Sequence, residues 1–163
     1  MRLTQVSAKC CLLLLGAFFG LSSHASSADP KPTLTVHLDP KKDILHITLH
    51  NHSSRTIETN DLFVPWKNFN SIVLVAEIPL LNGLELPFNQ IIDDLGPTIT
   101  VIKPGERIAG DIDLDERFPS LKRTRSKNEV VVFWTFQLKS NQSKEIKGFP
   151  REGGWVLLPR LHQ

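Results

Sequence analysis

Cysteine is nearly absent from this chain of 163 residues. Its two cysteines, Cys10 and Cys11, both lie in an N-terminal segment, and beyond that segment there is neither cysteine nor methionine. Disulfide stabilisation and thiol catalysis are therefore excluded for the rest of the chain. Copper carriers built on methionine thioethers are excluded as well, because the soft ligands they require are missing.

Sequence signatures of common enzymes are also missing. The chain contains no G-x-S-x-G, H-E-x-x-H, C-x-x-C or phosphate-loop motif. The segment DIDLDE (111–116) is a poor calcium loop, since the sixth and twelfth positions counted from Asp111 hold Glu116 and Lys122 instead of glycine and glutamate. We therefore predict no cofactor and no catalytic residue.

The N-terminal segment is typical of a secretory signal. Arg2 and Lys9 precede the apolar run at 12–21, and small residues offer cleavage after residue 25 or 28. The run is shorter than the roughly 20 residues that a membrane span needs. We therefore predict a signal peptide at 1–25, followed by one exported domain at 29–163, periplasmic or secreted, with no membrane span.

The predicted mature domain has no excess of charge of one sign. Removal of the signal takes away Arg2 and Lys9, which leaves seventeen basic residues against seventeen acidic ones. Non-specific nucleic-acid binding depends on a positive excess, so nucleic acid is not a predicted partner.

Long helical periodicity is absent, and period-two alternation of apolar residues takes its place. Turn-forming Pro, Gly, Asn and Asp separate the alternating runs. Seven such runs predict strands at 33–38, 44–50, 71–78, 98–102, 107–114, 129–138 and 154–158. Many short strands in one small domain indicate an antiparallel sandwich or barrel.

Two segments carry a resemblance to a known fold. In VIKPGERI, Pro104 and Gly105 turn the chain between two alternating strands, and ILHITLHNHSSRTI is a strand that runs out through Asn-x-Ser. Together they resemble immunoglobulin-like sandwich domains of exported bacterial proteins. The resemblance implies an all-β, antiparallel immunoglobulin-like β-sandwich of about seven to nine strands, and it implies no function.

The run EVVVFWTFQL (129–138) is apolar on both faces. Such a run is typical of a central strand that is covered on both sides. The alternative is that Val131 and Phe133 face a partner.

The segment EIPLLNGLELPFNQII (77–92) combines a hairpin signal with interruptions of pairing. Asn82-Gly83 favours a tight turn, whereas Pro79 and Pro87 cannot donate to a sheet. A projecting ribbon is predicted, whose apolar side chains either fold back over the sandwich or contact a partner. The candidate anchors are Leu80, Leu81, Leu84 and Phe88.

A basic stretch follows in the connection from residue 115 to residue 128. Lys122, Arg123 and Arg125 lie close together there. They are either solvated loop residues or steering charges that attract an acidic partner surface.

Four of the six histidines lie between residues 35 and 52. If residues 40–43 form a four-residue hairpin loop, His37 lies directly opposite His46, while His50 is too far along the strand to share an ion with them. A catalytic zinc site generally has three protein ligands, so the pair His37 and His46 is only a weak metal candidate. We interpret the histidines as part of a polar sheet face.

These features favour an exported protein that binds a protein partner and is not an enzyme. An inhibitor, an immunity protein or an accessory subunit of an envelope complex fits best. Two alternatives stay open: a hydrolase with acidic catalytic residues, and a ligand-binding module for metal or carbohydrate. The aromatic candidates for a sugar platform are Trp66, Phe69 and Trp155.

Overall fold

The computed structural model describes residues 29–89, 96, 98–142, 144–146, 149 and 151–161. The predicted signal peptide lies outside this part of the chain. Within it there are nine strands and two short α-helices: β1 (Thr33–Asp39), β2 (Ile44–His50), β3 (Ile57–Asn60), β4 (Ile72–Ile78), β5 (Leu84–Glu85), β6 (Ile99–Ile102), β7 (Arg107–Asp113), α1 (Leu114–Arg117), α2 (Leu121–Arg125), β8 (Val130–Phe136) and β9 (Glu152–Leu158). Two 3₁₀ turns lie at Asp61–Phe63 and Pro79–Leu81.

The strands form three antiparallel sheets that share one core. Their orders are β1-β2-β7, β3-β6 and β5-β4-β8-β9. Apolar side chains from all three sheets, such as Leu45, Ile102 and Val132, are fully buried in a single cluster. The prediction of an all-β antiparallel sandwich with seven to nine strands is confirmed, and each of the seven predicted runs overlaps a strand.

The first hairpin adopts the register that its apolar pattern predicts. His37 lies opposite His46, and Val36 lies opposite Ile47. Leu45, Ile47 and Leu49 are buried, so the alternate positions form the outer face of this sheet. A one-residue slip would expose all three buried side chains, and their burial therefore fixes the pairing.

The helices are the elements that alternation could not predict. The Asp113 carboxylate caps α1 by accepting a hydrogen bond from the Asp115 amide at 2.8 Å. Leu114, at the start of α1, and Phe118 and Leu121 after it are buried in the core. Both helices are short, and no helix in the described ranges is long and apolar enough to cross a membrane.

Gly110 is a position of close approach between β7 and a tryptophan. It pairs with the buried Ile47, and the Trp66 indole lies directly against its Cα. A Cβ atom at position 110 would overlap the indole ring. Trp66 is half-buried against the core, which the absence of a side chain at 110 permits.

A buried ion pair joins the first hairpin to α2. The guanidinium of Arg125 contacts the carboxylate of Asp43, and the two side chains are 1% and 3% exposed. Arg125 also donates to the carbonyl oxygens of Pro159, at 2.9 and 3.0 Å, and of Pro40, at 3.2 Å. Burial lowers the pKa of the Arg125 guanidinium. The prediction that Arg125 is an exposed steering charge is therefore wrong, because its guanidinium is buried and paired with Asp43.

We expect Gly110→Ala to lower the free energy of unfolding by about 1–3 kcal/mol, because the added methyl group overpacks the Trp66 contact. Urea denaturation measures the loss. In a Trp66→Ala background the same substitution should cost less than half as much, since the overlapping ring is gone. If Gly110→Ala lowers the free energy of unfolding equally with and without the Trp66 ring, the predicted overlap with that ring is contradicted. Ala109→Val, on the outer face of the same strand, is the matched control.

We expect Arg125→Met to lower the free energy of unfolding by about 3–5 kcal/mol, because it leaves the Asp43 carboxylate buried without its partner. Thermal and urea denaturation check the value. The double variant with Asp43→Asn should recover part of the loss, since the unpaired charge is removed and Asn tolerates the left-handed backbone of residue 43. Exposed Lys42→Ala should change the stability by less than about 0.5 kcal/mol. A loss below 1 kcal/mol for Arg125→Met would refute the role of the pair.

Candidate protein-binding surface

The four-stranded sheet carries apolar side chains on the face that points away from the core. Val73, Phe133, Trp155 and Leu157 are 58%, 41%, 64% and 43% exposed on this face. Val75 and Val131 lie beside them and are half-buried. We call these six residues the outer apolar face.

Cross-strand pairing brings five of the six side chains into two adjacent rows, and Val73 lies in the row beyond them, opposite Thr135. Val75 lies opposite Phe133, which lies opposite Trp155, so one apolar row crosses β4, β8 and β9. In the next row, Val131 lies opposite Leu157. Directly opposed side chains have Cβ atoms about 4.5–5.5 Å apart, so the rows form one surface.

Acidic side chains border this surface on the β5 side. Glu77 of β4 lies opposite Val131 on one side and opposite Glu85 of β5 on the other. A partner that covers the outer apolar face therefore meets two carboxylates at this border.

The prediction that β8 is central is confirmed, since it pairs with β4 and with β9. The prediction that both of its faces are covered is wrong for Phe133, which is 41% exposed. The sequence held a signal for the outer apolar face: Trp155 and Leu157 alternate with Val156 and the buried Leu158, so β9 is also apolar on both sides.

The predicted ribbon is formed by β4, β5 and the turn between them. A 3₁₀ turn at Pro79–Leu81 and left-handed backbone at Asn82 and Gly83 reverse the chain, and Leu84 then pairs with Ile78. Three of its four candidate anchors are exposed: Leu80 at 81%, Leu81 at 50% and Leu84 at 56%.

Phe88, the fourth candidate anchor, folds back onto the sandwich. Its ring contacts Phe69 and Phe118, with centroids 6.2 and 5.5 Å apart. The next residue, Asn89, donates its amide to the carbonyl oxygen of Arg117 at 2.8 Å. The alternative that the ribbon folds back over the sandwich is therefore confirmed for Phe88. Contact of the three exposed leucines with a partner stays a prediction.

The two remaining basic candidates lie on the exposed side of α2. Lys122 pairs with Asp115 at 2.6 Å, and this hydrogen bond raises the pKa of its ammonium group. Arg123 lines a shallow groove of about 460 Å³ together with Phe88 and Pro119. The structure thus brings Arg123 and Phe88 together and leaves Lys122 paired.

The three aromatic candidates for a sugar platform do not share a surface. Trp66 lies against Gly110, and Phe69 is buried beneath the guanidinium of Arg117. Trp155 alone among the three is largely exposed, and it belongs to the outer apolar face. The prediction that these three residues form a sugar platform is therefore wrong.

A groove of about 600 Å³ includes Asp29 and Glu58 in its lining. The Asp29 carboxylate accepts hydrogen bonds from the Ser54 amide and hydroxyl at 3.0 and 3.1 Å. The Glu58 carboxylate accepts one from the Asn141 side chain at 3.3 Å. Both acids thus have structural hydrogen-bond partners in this groove.

The weak metal candidates His37 and His46 stack on the outer face of the first sheet, with ring centroids 6.3 Å apart. Among the described residues, no group of three or more His, Cys, Asp or Glu side chains is arranged to hold a metal ion.

Similarity to known proteins does not identify this surface. A scan of the chain against protein-family models found no match, and a search of curated proteins found none either. Its function is therefore inferred from the residues and their surroundings.

Substitutions should separate the buried and exposed parts of the ribbon. Phe88→Ala should lower the free energy of unfolding by about 2 kcal/mol, below the 3–5 kcal/mol of a fully buried phenylalanine because Phe88 is only half-buried. Leu80→Ala should change it by less than about 0.5 kcal/mol, since that side chain is solvated. Urea denaturation measures both values, and equal losses would contradict the division of the ribbon.

Proposed function

We propose that this chain is an exported protein that acts by binding another protein and performs no catalysis itself. The observation that carries the proposal is the outer apolar face, where six apolar side chains lie together on one sheet and four of them are more than 40% exposed. Contiguous exposed apolar surface on a soluble domain marks an interaction site. Aromatic anchors such as Trp155 and Phe133 contribute strongly to protein interfaces.

The chemistry of the surface defines the partner that we propose. A flat apolar patch matches a flat apolar patch, and the carboxylates of Glu77 and Glu85 favour a basic residue at that border. The ribbon adds exposed Leu80, Leu81 and Leu84 at the end of β4, in a shape that suits insertion into a cleft. An accessory subunit of an envelope complex would use the flat face, whereas an enzyme inhibitor or immunity protein would use the ribbon.

The proposal is tested by affinity capture with the full chain from an envelope extract of its source. Wild type should retain a defined protein, and Trp155→Ser should weaken its binding at least tenfold, about 1.4 kcal/mol, because an anchor is removed. Val101→Ser is the matched control, since Val101 is 45% exposed on a different sheet. Circular dichroism confirms that each variant is folded.

A ribbon variant separates the two modes of binding. If Leu84→Asp weakens binding as much as Trp155→Ser, the ribbon and the outer apolar face act together. Loss with Leu84→Asp alone would assign binding to the ribbon. Equal recovery of the partner by wild type and both variants would refute the proposed function.

A further inference from the structure

A row of polar side chains crosses the outer face of the first sheet. His37 of β1 lies opposite His46 of β2, which lies opposite Asp111 of β7. The Nδ1 atom of His46 and the Oδ1 atom of Asp111 are 2.6 Å apart. Since a carboxylate oxygen accepts, the neutral imidazole donates its Nδ1–H and keeps the lone pair of Nε2 free.

A hydrogen bond from a histidine ring to a carboxylate is also typical of the histidine ligands in metal sites. A metal-bound histidine generally donates its other ring N–H to a carboxylate, which fixes the tautomer and raises the basicity of the ligating nitrogen. Asp111 supplies this support from the neighbouring strand. The hairpin that the sequence predicts contains the two histidines, but it does not contain Asp111, which belongs to β7.

His37 is placed to supply the second ligand. Its ring is nearly parallel to that of His46, with an interplanar angle of 16° and centroids 6.3 Å apart. The adjacent row on the same face holds only Thr35, Thr48 and Ala109, which are small. No bulky neighbour therefore lies on that side of the two rings, whereas Ile44 lies in the row on the other side.

The charge around the pair favours a cation. Asp39, the last residue of β1, and Asp113, the last residue of β7, lie in the row on the other side. Lys42 offsets part of this charge, with its ammonium 3.8 Å from Asp39. The Asp111 carboxylate, directly beside His46, contacts its ring and adds a further negative charge next to the pair.

A second histidine pair, His50 at the end of β2 and His52 just after it, lacks these features. The rings of His50 and His52 are closer, at 3.6 Å, but His52 Nε2 is bonded to the Thr33 hydroxyl at 3.1 Å. Arg107 lies opposite His50. The pKa of His50 is lowered, first by desolvation and then by the charges of His52 and Arg107. This environment disfavours a cation.

We propose that His37 and His46 chelate one divalent transition-metal ion, that Asp111 is a positioning residue for His46, and that water completes the coordination. Imidazole ligands suit copper, nickel and zinc, and Cu²⁺ binds most tightly in that series. The site lies on a different sheet from the outer apolar face and is independent of the proposed protein binding.

The test is titration of the full chain with Cu²⁺ at pH 7.5, followed by calorimetry and by electron paramagnetic resonance. Cys10 and Cys11 are blocked with N-ethylmaleimide so that thiolates do not bind copper. We expect one Cu²⁺ with nitrogen hyperfine coupling from two imidazoles. His37→Ala and His46→Ala should each lower the affinity at least tenfold and leave one imidazole coupled. His50→Ala is the matched control and should leave the affinity unchanged.

Two variants of Asp111 test the positioning role. Asp111→Ala should lower the affinity about tenfold, as for loss of a supporting carboxylate. Asp111→Asn should recover part of it, because the amide oxygen still accepts from Nδ1–H. Unchanged affinity in His37→Ala, in His46→Ala or in Asp111→Ala, or a loss in His50→Ala equal to that in His37→Ala, would overturn the proposal. Absence of Cu²⁺ binding by wild type would overturn it as well.

Discussion

The buried contact between Arg125 and Asp43 is the constraint on which the placement of the other parts depends. Asp43 lies at the last position of the β1–β2 turn with φ of +58°, and its own carbonyl accepts the Leu114 amide at the start of α1 at 2.8 Å. Arg125, at the end of α2, reaches back to that turn and also holds Pro159 after β9. Three segments distant in sequence are thereby joined at one end of the sandwich. A charge this deeply buried is tolerated only when it is paired and hydrogen-bonded, so the three segments must be correctly placed together.

The two exposed surfaces of the sandwich differ because the sheets differ in their outward residues. The first sheet presents Thr, His and Asp outward, which is the usual pattern of an antiparallel sheet with one wet face. The sheet β5-β4-β8-β9 presents Val, Phe, Trp and Leu outward. Exposed apolar area lowers solubility, and the isolated chain does not gain the free energy that burial of this area would release. Protein binding at this face and metal binding at the other are therefore separate hypotheses, each resting on its own sheet.

The candidate sites were only partly predictable. The alternation of 33–38 and 44–50 gave the register that places His37 opposite His46. Asp111 could not be placed beside His46, because it lies 65 residues later in the chain. Which strand pairs with β2 is decided by the tertiary fold. Leu80, Leu81 and Leu84 are exposed as a projecting ribbon implies, whereas Phe88 is drawn in by Phe69 and Phe118. Arg125 carried the same signal as Lys122 and Arg123, and only the position of the buried Asp43 distinguishes it.

By itself the sequence determined the strands, because period-two alternation and turn residues act over a few neighbouring positions. It also determined the hairpin register, since Leu45, Ile47 and Leu49 alternate with polar residues within that segment and therefore share one face. The tertiary structure alone decided which two-sided apolar strands lie side by side and which of their faces is left uncovered. Val131 and Phe133 look like core in the sequence, and they form a surface because no other layer of the described chain packs on that side of the sheet. Burial is set by what covers a side chain, and that depends on residues far away along the chain.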